Sequence, residues 1–158
     1  MSVIEYIYPD FPHQLTWECL EAEFMDAVPG VQIEWEFRQH ATPNWSTVWV
    51  RHPRGRRVTT IFVVSKNTLA QKRDLKARYK RDAKLVIATA ASHVIWSQLK
   101  VPSSMSDSAF FNAMNTHNVL IATLNREGRG VVDLPENGRL YSVVSFRRYV
   151  KRRSELRG

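Results

Sequence analysis

Residues 31–39 alternate well: Val31, Ile33, Trp35 and Phe37 on one side, Gln32, Glu34, Glu36 and Arg38 on the other. A period of two is the mark of a strand with one buried face. A second segment, Val58-Thr59-Thr60-Ile61-Phe62-Val63-Val64, is β-branched and apolar to its end. That texture suits a central strand covered on both sides. A chain holding both segments must build a sheet and must cover it.

The cover comes from helical segments. Thr16 is placed to cap a helix in which Trp17, Leu20, Phe24 and Val28 recur at helical spacing, and Pro29-Gly30 ends it. Thr68, with Gln71 three residues on, fits the capping box of a second helix, with Leu75, Tyr79 and Ala83 on its core side. Residues 4–12 read as an extended lead-in broken by Pro9 and Pro12, and residues 47–51 as a strand before the basic turn Pro53-Arg54-Gly55-Arg56. Leu85-Val86-Ile87-Ala88-Thr89-Ala90 reads as a further buried strand, residues 108–115 as a short helix, and residues 119–124 and 141–146 as strands. Gly128, Gly130 and Asn137-Gly138 punctuate a closing hairpin. Strand–helix–strand order predicts the α/β class: a single-domain mixed β-sheet flanked by helices. The domain spans 1–146, and 147–158 is a basic C-terminal tail.

Among 158 residues, 44% are hydrophobic, enough for one ordinary core. The single cysteine, Cys19, forms no internal disulfide and sits beside the apolar side of the first helix. No apolar run approaches the roughly 20 residues that cross a bilayer, and the start lacks a signal-peptide pattern. The expectation is an intracellular protein, cytoplasmic or nucleoid-associated, with no membrane partner.

Charge is divided along the chain. Residues 1–50 hold eight acids and one base, a net of −7, whereas residues 51–84 hold twelve bases and two acids, a net of +10. Residues 85–146 balance, and six bases follow against Glu155. Such a field draws a polyanion to one region and repels it from another. The expected partner is DNA or RNA, held through its backbone by Arg54, Arg56, Arg57, Lys66, Arg73, Lys76 and Lys80. Trp45, Trp49 and Tyr79 lie near these bases in sequence and offer rings for stacking on unpaired bases. The acidic N-terminal half suits a protein partner or a second copy of the chain.

The five histidines show no metal-ligand spacing, and no glycine-rich phosphate loop or nucleophile elbow is present. No metal and no cofactor is expected.

The order of elements resembles the restriction-endonuclease-like superfamily, the PD-(D/E)XK nucleases. Its local anchor is Val64-Ser65-Lys66 at the end of a buried strand, followed by a basic helix and by residues 85–90. The resemblance implies a metal-dependent phosphodiesterase in which the Asp and the Glu of Glu-x-Lys hold a divalent ion and the lysine orients the attacking water. This chain keeps Lys66 but has Val64 at the acid position, and Thr47-Val48-Trp49-Val50 lacks the Asp. The resemblance therefore implies a nuclease form without its metal site. Two alternatives stand beside it. One is an active Mg²⁺-dependent nuclease using displaced carboxylates, with Glu21, Glu34, Glu36 and Lys66 as catalytic candidates. The other is a regulatory protein-interaction factor.

Overall fold

The structure, a computed structural model, describes residues 4–54 and 57–156. Its sheet runs β2-β3-β4-β5-β1-β6-β7, and the strand that comes first in the chain lies inside it. Strand β1 (Ile4–Tyr8) pairs with β5 (His93–Lys100) on one side and β6 (Val131–Leu134) on the other. The segment expected as a lead-in is thus a core strand. Ile7 and Tyr8 are fully buried on its two faces.

Strands β2 (Gln32–Phe37), β3 (Trp45–Arg51) and β4 (Thr59–Lys66) form an antiparallel meander. Helices α2 (Leu69–Arg78) and α3 (Leu85–Ala90) follow, and the chain re-enters as β5. Lys66 pairs with His93, so the helices return the chain to the end of the sheet it left, and β5 runs antiparallel to β4. Helix α4 (Asp107–Gly128), a hairpin of β6 and β7 (Arg139–Tyr141), and α5 (Val143–Glu155) complete the domain. The class is α/β and the unit is a single domain, but the sheet is not mixed. Every ladder among the described residues is antiparallel.

Two expected strands are helical. Residues 85–90 form α3, which buries Ala88 and exposes Val86. An apolar run of six has no period long enough to separate strand from helix. Residues 119–124 lie inside α4, where Ala113, His117, Leu120, Ile121 and Leu124 recur at helical spacing on the buried side. Ser106 caps α4 and accepts from the Ala109 amide. No glycine or proline interrupts the helix before Gly128. Residues 141–146 divide at Ser142, which caps α5 in a reciprocal bond with Ser145. Ala83 lies beyond α2 and is exposed.

Strand parity then sorts the core into two layers. Ile7, Val48, Val50, Phe62, Ile95 and Val132 face α1 (Trp17–Ala27), α4 and α5, meeting Leu20, Phe24, Leu120, Ile121, Leu124 and Phe146. Phe24 stacks on Phe62 at 5.7 Å between ring centres. On the opposite face, Tyr8, Val94, Val131 and Leu140 meet Leu75 and Tyr79 at α2 and Ala88 of α3. This second layer covers the β1, β6 and β7 side. Arg147, Arg148, Lys151 and Arg152 are exposed on the outer side of α5, which is anchored by buried Phe146 against Tyr141 and Tyr149.

Candidate functional site

The face of β2–β4 opposite α1 and α4 adds no residue to the buried clusters, whereas on β5 the cover of α2 and α3 begins at Val94. Register sets three rows across it. Gln32, Arg51, Thr59 and Lys100 lie in line. Glu34, Trp49, Ile61 and Gln98 form the next row, and Glu36, Thr47, Val63, Trp96 and Tyr6 the third. Trp49, Val63, Trp96 and Tyr6 are half-buried, while Arg51 and Lys100 are exposed. The two tryptophans stand two strands and two residues apart, about 12 Å by sheet geometry. Trp49, Ile61, Val63, Trp96 and Tyr6 make an aromatic floor within this half-face, with polar and charged residues around it.

Positive charge borders that floor. Arg54 and Arg57 are exposed on the turn joining β3 to β4, at the end marked by Arg51 and Lys100. Arg73, Lys76 and Lys80 are exposed at α2 and just after it, and α2 packs on the same face of the sheet, over β1, β6 and β7. The turn lies at one end of the floor and the helix over the neighbouring strands. Glu34 and Glu36 line the outer edge of the floor on β2, so an anion is favoured over the inner strands. Lys66 shares the parity of Phe62 and Val64 and emerges on the other face. Arg56 lies outside the described residues.

Of the rings expected to stack, only Trp49 is placed to do so. Trp45 is fully buried and its Nε1 donates to the Leu15 carbonyl at 2.7 Å. Tyr79 donates its hydroxyl to buried Asp133, which Arg78 also grips with two nitrogens, at 2.8 and 3.3 Å. That cluster ties α2 to β6. Burial, reinforced by Asp133, holds the Tyr79 phenol above its ordinary range.

The displaced carboxylates are not brought together. Glu21 accepts from Trp35 Nε1 at 3.1 Å. Trp35 has the opposite parity to Glu34 and Glu36, so these acids lie across an edge strand from Glu21. Glu36 accepts from Ser46 Oγ at 2.9 Å and stands about 14 Å from Lys66 by sheet spacing. Among the described residues, no group of three or more His, Cys, Asp or Glu is placed to hold a metal ion. Cys19 Sγ meets Glu127 Oε2 at 3.6 Å, and burial together with that carboxylate raises its thiol pKa.

A second constellation lies on the helical side. Between the β3–β4 turn and α4 a cleft of about 610 Å³ is walled by His52, Arg54, Val58, Met105, Ala113 and Asn115. A chain of buried polar groups runs inward from it. His52 Nε2 and Thr60 Oγ1 are 2.8 Å apart, and Thr60 Oγ1 and His117 Nδ1 2.9 Å. His117 Nε2 lies 3.0 Å from Glu5 Oε2, which also accepts from Ser97 Oγ at 2.6 Å. Burial, with His117 beside it, pushes the His52 pKa down to about 4.

Sequence reasoning missed Trp96 and Lys100 because β5 was not recognised as a strand. The run of β-branched and aromatic residues Val94-Ile95-Trp96 was the signal available. It missed Glu5, Thr60, Ser97 and His117 because four polar residues at distant positions leave no local pattern.

No known protein family, curated protein or solved structure matches the chain. No described helix is long and apolar enough to cross a membrane.

Proposed function

We propose that the protein binds nucleic acid, with unpaired bases resting on the open half of the sheet and the backbone held by the bases around it. The observation that carries this reading is the aromatic floor of Trp49 and Trp96 between basic borders on one face of the sheet. Stacking on rings is tolerant of base identity, and the border charges release counterions from phosphate. Arg51, Arg54, Arg57 and Lys100 bind the backbone at one end of the floor, and Arg73, Lys76 and Lys80 bind it along the side. DNA and RNA both offer these features. The reading needs no metal chemistry.

The test is fluorescence anisotropy with labelled single- and double-stranded DNA and RNA, across a salt series, with Mg²⁺ and with EDTA. Single strands are expected to bind more tightly than duplexes, and to stay intact in either buffer. Trp49→Ala and Trp96→Ala each weaken binding by about 1–3 kcal/mol. Joint charge reversal of Arg73, Lys76 and Lys80 flattens the salt dependence. Unchanged affinity in all three variants would remove the sheet face as the site. Cleavage that requires Mg²⁺ would restore the nuclease alternative.

A further inference from the structure

The buried chain beside the cleft joins side chains from four different strands or turns and from α4, and the nucleic-acid reading uses none of them. Its polarity follows from donor counting. Taking Glu5 as the carboxylate and His117 as the neutral Nε2–H tautomer, Glu5 Oε2 accepts from Ser97 Oγ–H and from His117 Nε2–H. His117 then carries its lone pair on Nδ1 and takes the Thr60 hydroxyl proton. Thr60 Oγ1 is left to accept from His52 Nε2–H. Every proton in the chain points toward the carboxylate, and Nδ1 becomes the basic nitrogen of His52. Burial keeps that ring neutral near pH 7, so it is an acceptor there.

The cleft supplies the rest of a ligand's needs. Val58, Met105 and Ala113 make an apolar wall, Asn115 and Thr116 offer polar edges, and Arg54 stands exposed at its side. Its volume of about 610 Å³ falls within the range of small-molecule sites. We propose that this cleft binds a small ring-bearing phosphate, the chemistry of a nucleoside monophosphate, with Arg54 on the phosphate and His52 accepting a ring N–H. Uracil and guanine present such an N–H where cytosine and adenine present a lone pair. The site therefore prefers the first pair. The same wiring lets a ligand proton move inward: His52 Nδ1 gains it while the Nε2 proton passes to Thr60. The Thr60 proton passes to His117 and the His117 Nε2 proton to Glu5. The ligand ends one proton poorer and Glu5 one richer, with no change of oxidation state.

The test follows the histidine ring signals of the full chain by NMR near pH 7 during titration with uridine 5′-monophosphate, cytidine 5′-monophosphate and inorganic phosphate. Uridine monophosphate is expected to shift His52 saturably and to bind more tightly than the cytidine compound. Arg54→Ala weakens it about tenfold. His52→Gln erases the preference between the two nucleotides. The His117 response disappears in Thr60→Val and returns in Thr60→Ser, a contrast that a merely structural role for Thr60 does not produce. A 5′-phosphorylated oligouridylate separates sources: equal occupancy of the cleft by it marks a strand end as the ligand, and exclusion marks a free nucleotide. Trp49→Ala leaves mononucleotide binding intact, so this site and the sheet face fail or succeed separately. Equal affinity for both nucleotides, or no saturable shift of His52 at millimolar ligand, overturns the proposal.

Discussion

Acid should unfold this protein partly through one histidine. His52 is buried, at 6% exposure, and its pKa falls from an ordinary 6.5 to about 4 in the fold. The unfolded chain therefore binds the proton that the folded chain refuses, and stability present above pH 6.5 is lost as pH falls toward 4. At about 1.4 kcal/mol per pH unit, that interval amounts to about 3 kcal/mol. The groups around His52 act in the same direction or stay out of the way. His117, reached through Thr60, lowers the His52 pKa further, Arg54 lies on the same turn, and Glu5 is already engaged by Ser97 and His117. His52→Gln keeps a donor for Thr60 but cannot titrate. Urea denaturation of both proteins from pH 7 to pH 4 isolates the effect, because acid-sensitive groups elsewhere cancel between them. The variant should equal or trail the parent by about 1 kcal/mol at pH 7. It should overtake the parent near pH 4. Parallel stability curves across that interval would refute the reasoning.

Three further substitutions probe other joints. Arg78→Leu leaves fully buried Asp133 with only the Tyr79 hydroxyl, and should lose about 2–3 kcal/mol in chemical denaturation at neutral pH. Phe62→Ala removes a fully buried ring stacked on Phe24, and should lose about 3–5 kcal/mol by the same measurement. Gly130→Ala puts a methyl 2.3 Å from the Tyr8 carbonyl oxygen, a backbone atom in the middle of the sheet. The melting temperature of this last variant should fall further than that of a Gly138→Ala control, whose added carbon meets no atom within 4 Å.

What could be read from the sequence was local. The cap at Thr16, the cap at Thr68 and the alternation of residues 32–37 each contain their own signal within a few residues, and each stands in the structure. The closing hairpin stood out for the same reason: Gly138 adopts a positive φ of 58° at its turn. Residues 85–90 and 119–124 failed because apolar content was read without its period. The Asn115–Asn118 stretch looked like a break, yet His117 and Asn118 are buried in α4. Strand β1 escaped because pairing partners 88 and 125 residues away, at Ile95 and Val132, give Ile7 no mark in its own neighbourhood. The basic segment was legible as charge, but the faces on which its members lie depend on strand parity and register, which separate Lys66 from Arg51. The buried Glu5–His117–Thr60–His52 chain is invisible to any linear reading because its members meet only when three parts of the sheet and α4 come together.

The place of β1 sets the order in which this protein can be completed. A strand made this far ahead of its partners must wait for β5 to close one of its edges and for β6, later still, to close the other. Until then Tyr8 and Ile7 have no settled faces, and the meander of β2, β3 and β4 is the portion able to assemble from neighbours alone. Long loops must be closed before the central contacts are rewarded, which slows folding. A ribosome-bound chain that has released everything through Lys100 still presents an unpaired edge of β1. Cooperative stability therefore arrives late, when the β6–β7 hairpin docks and α5 sets Phe146 against it.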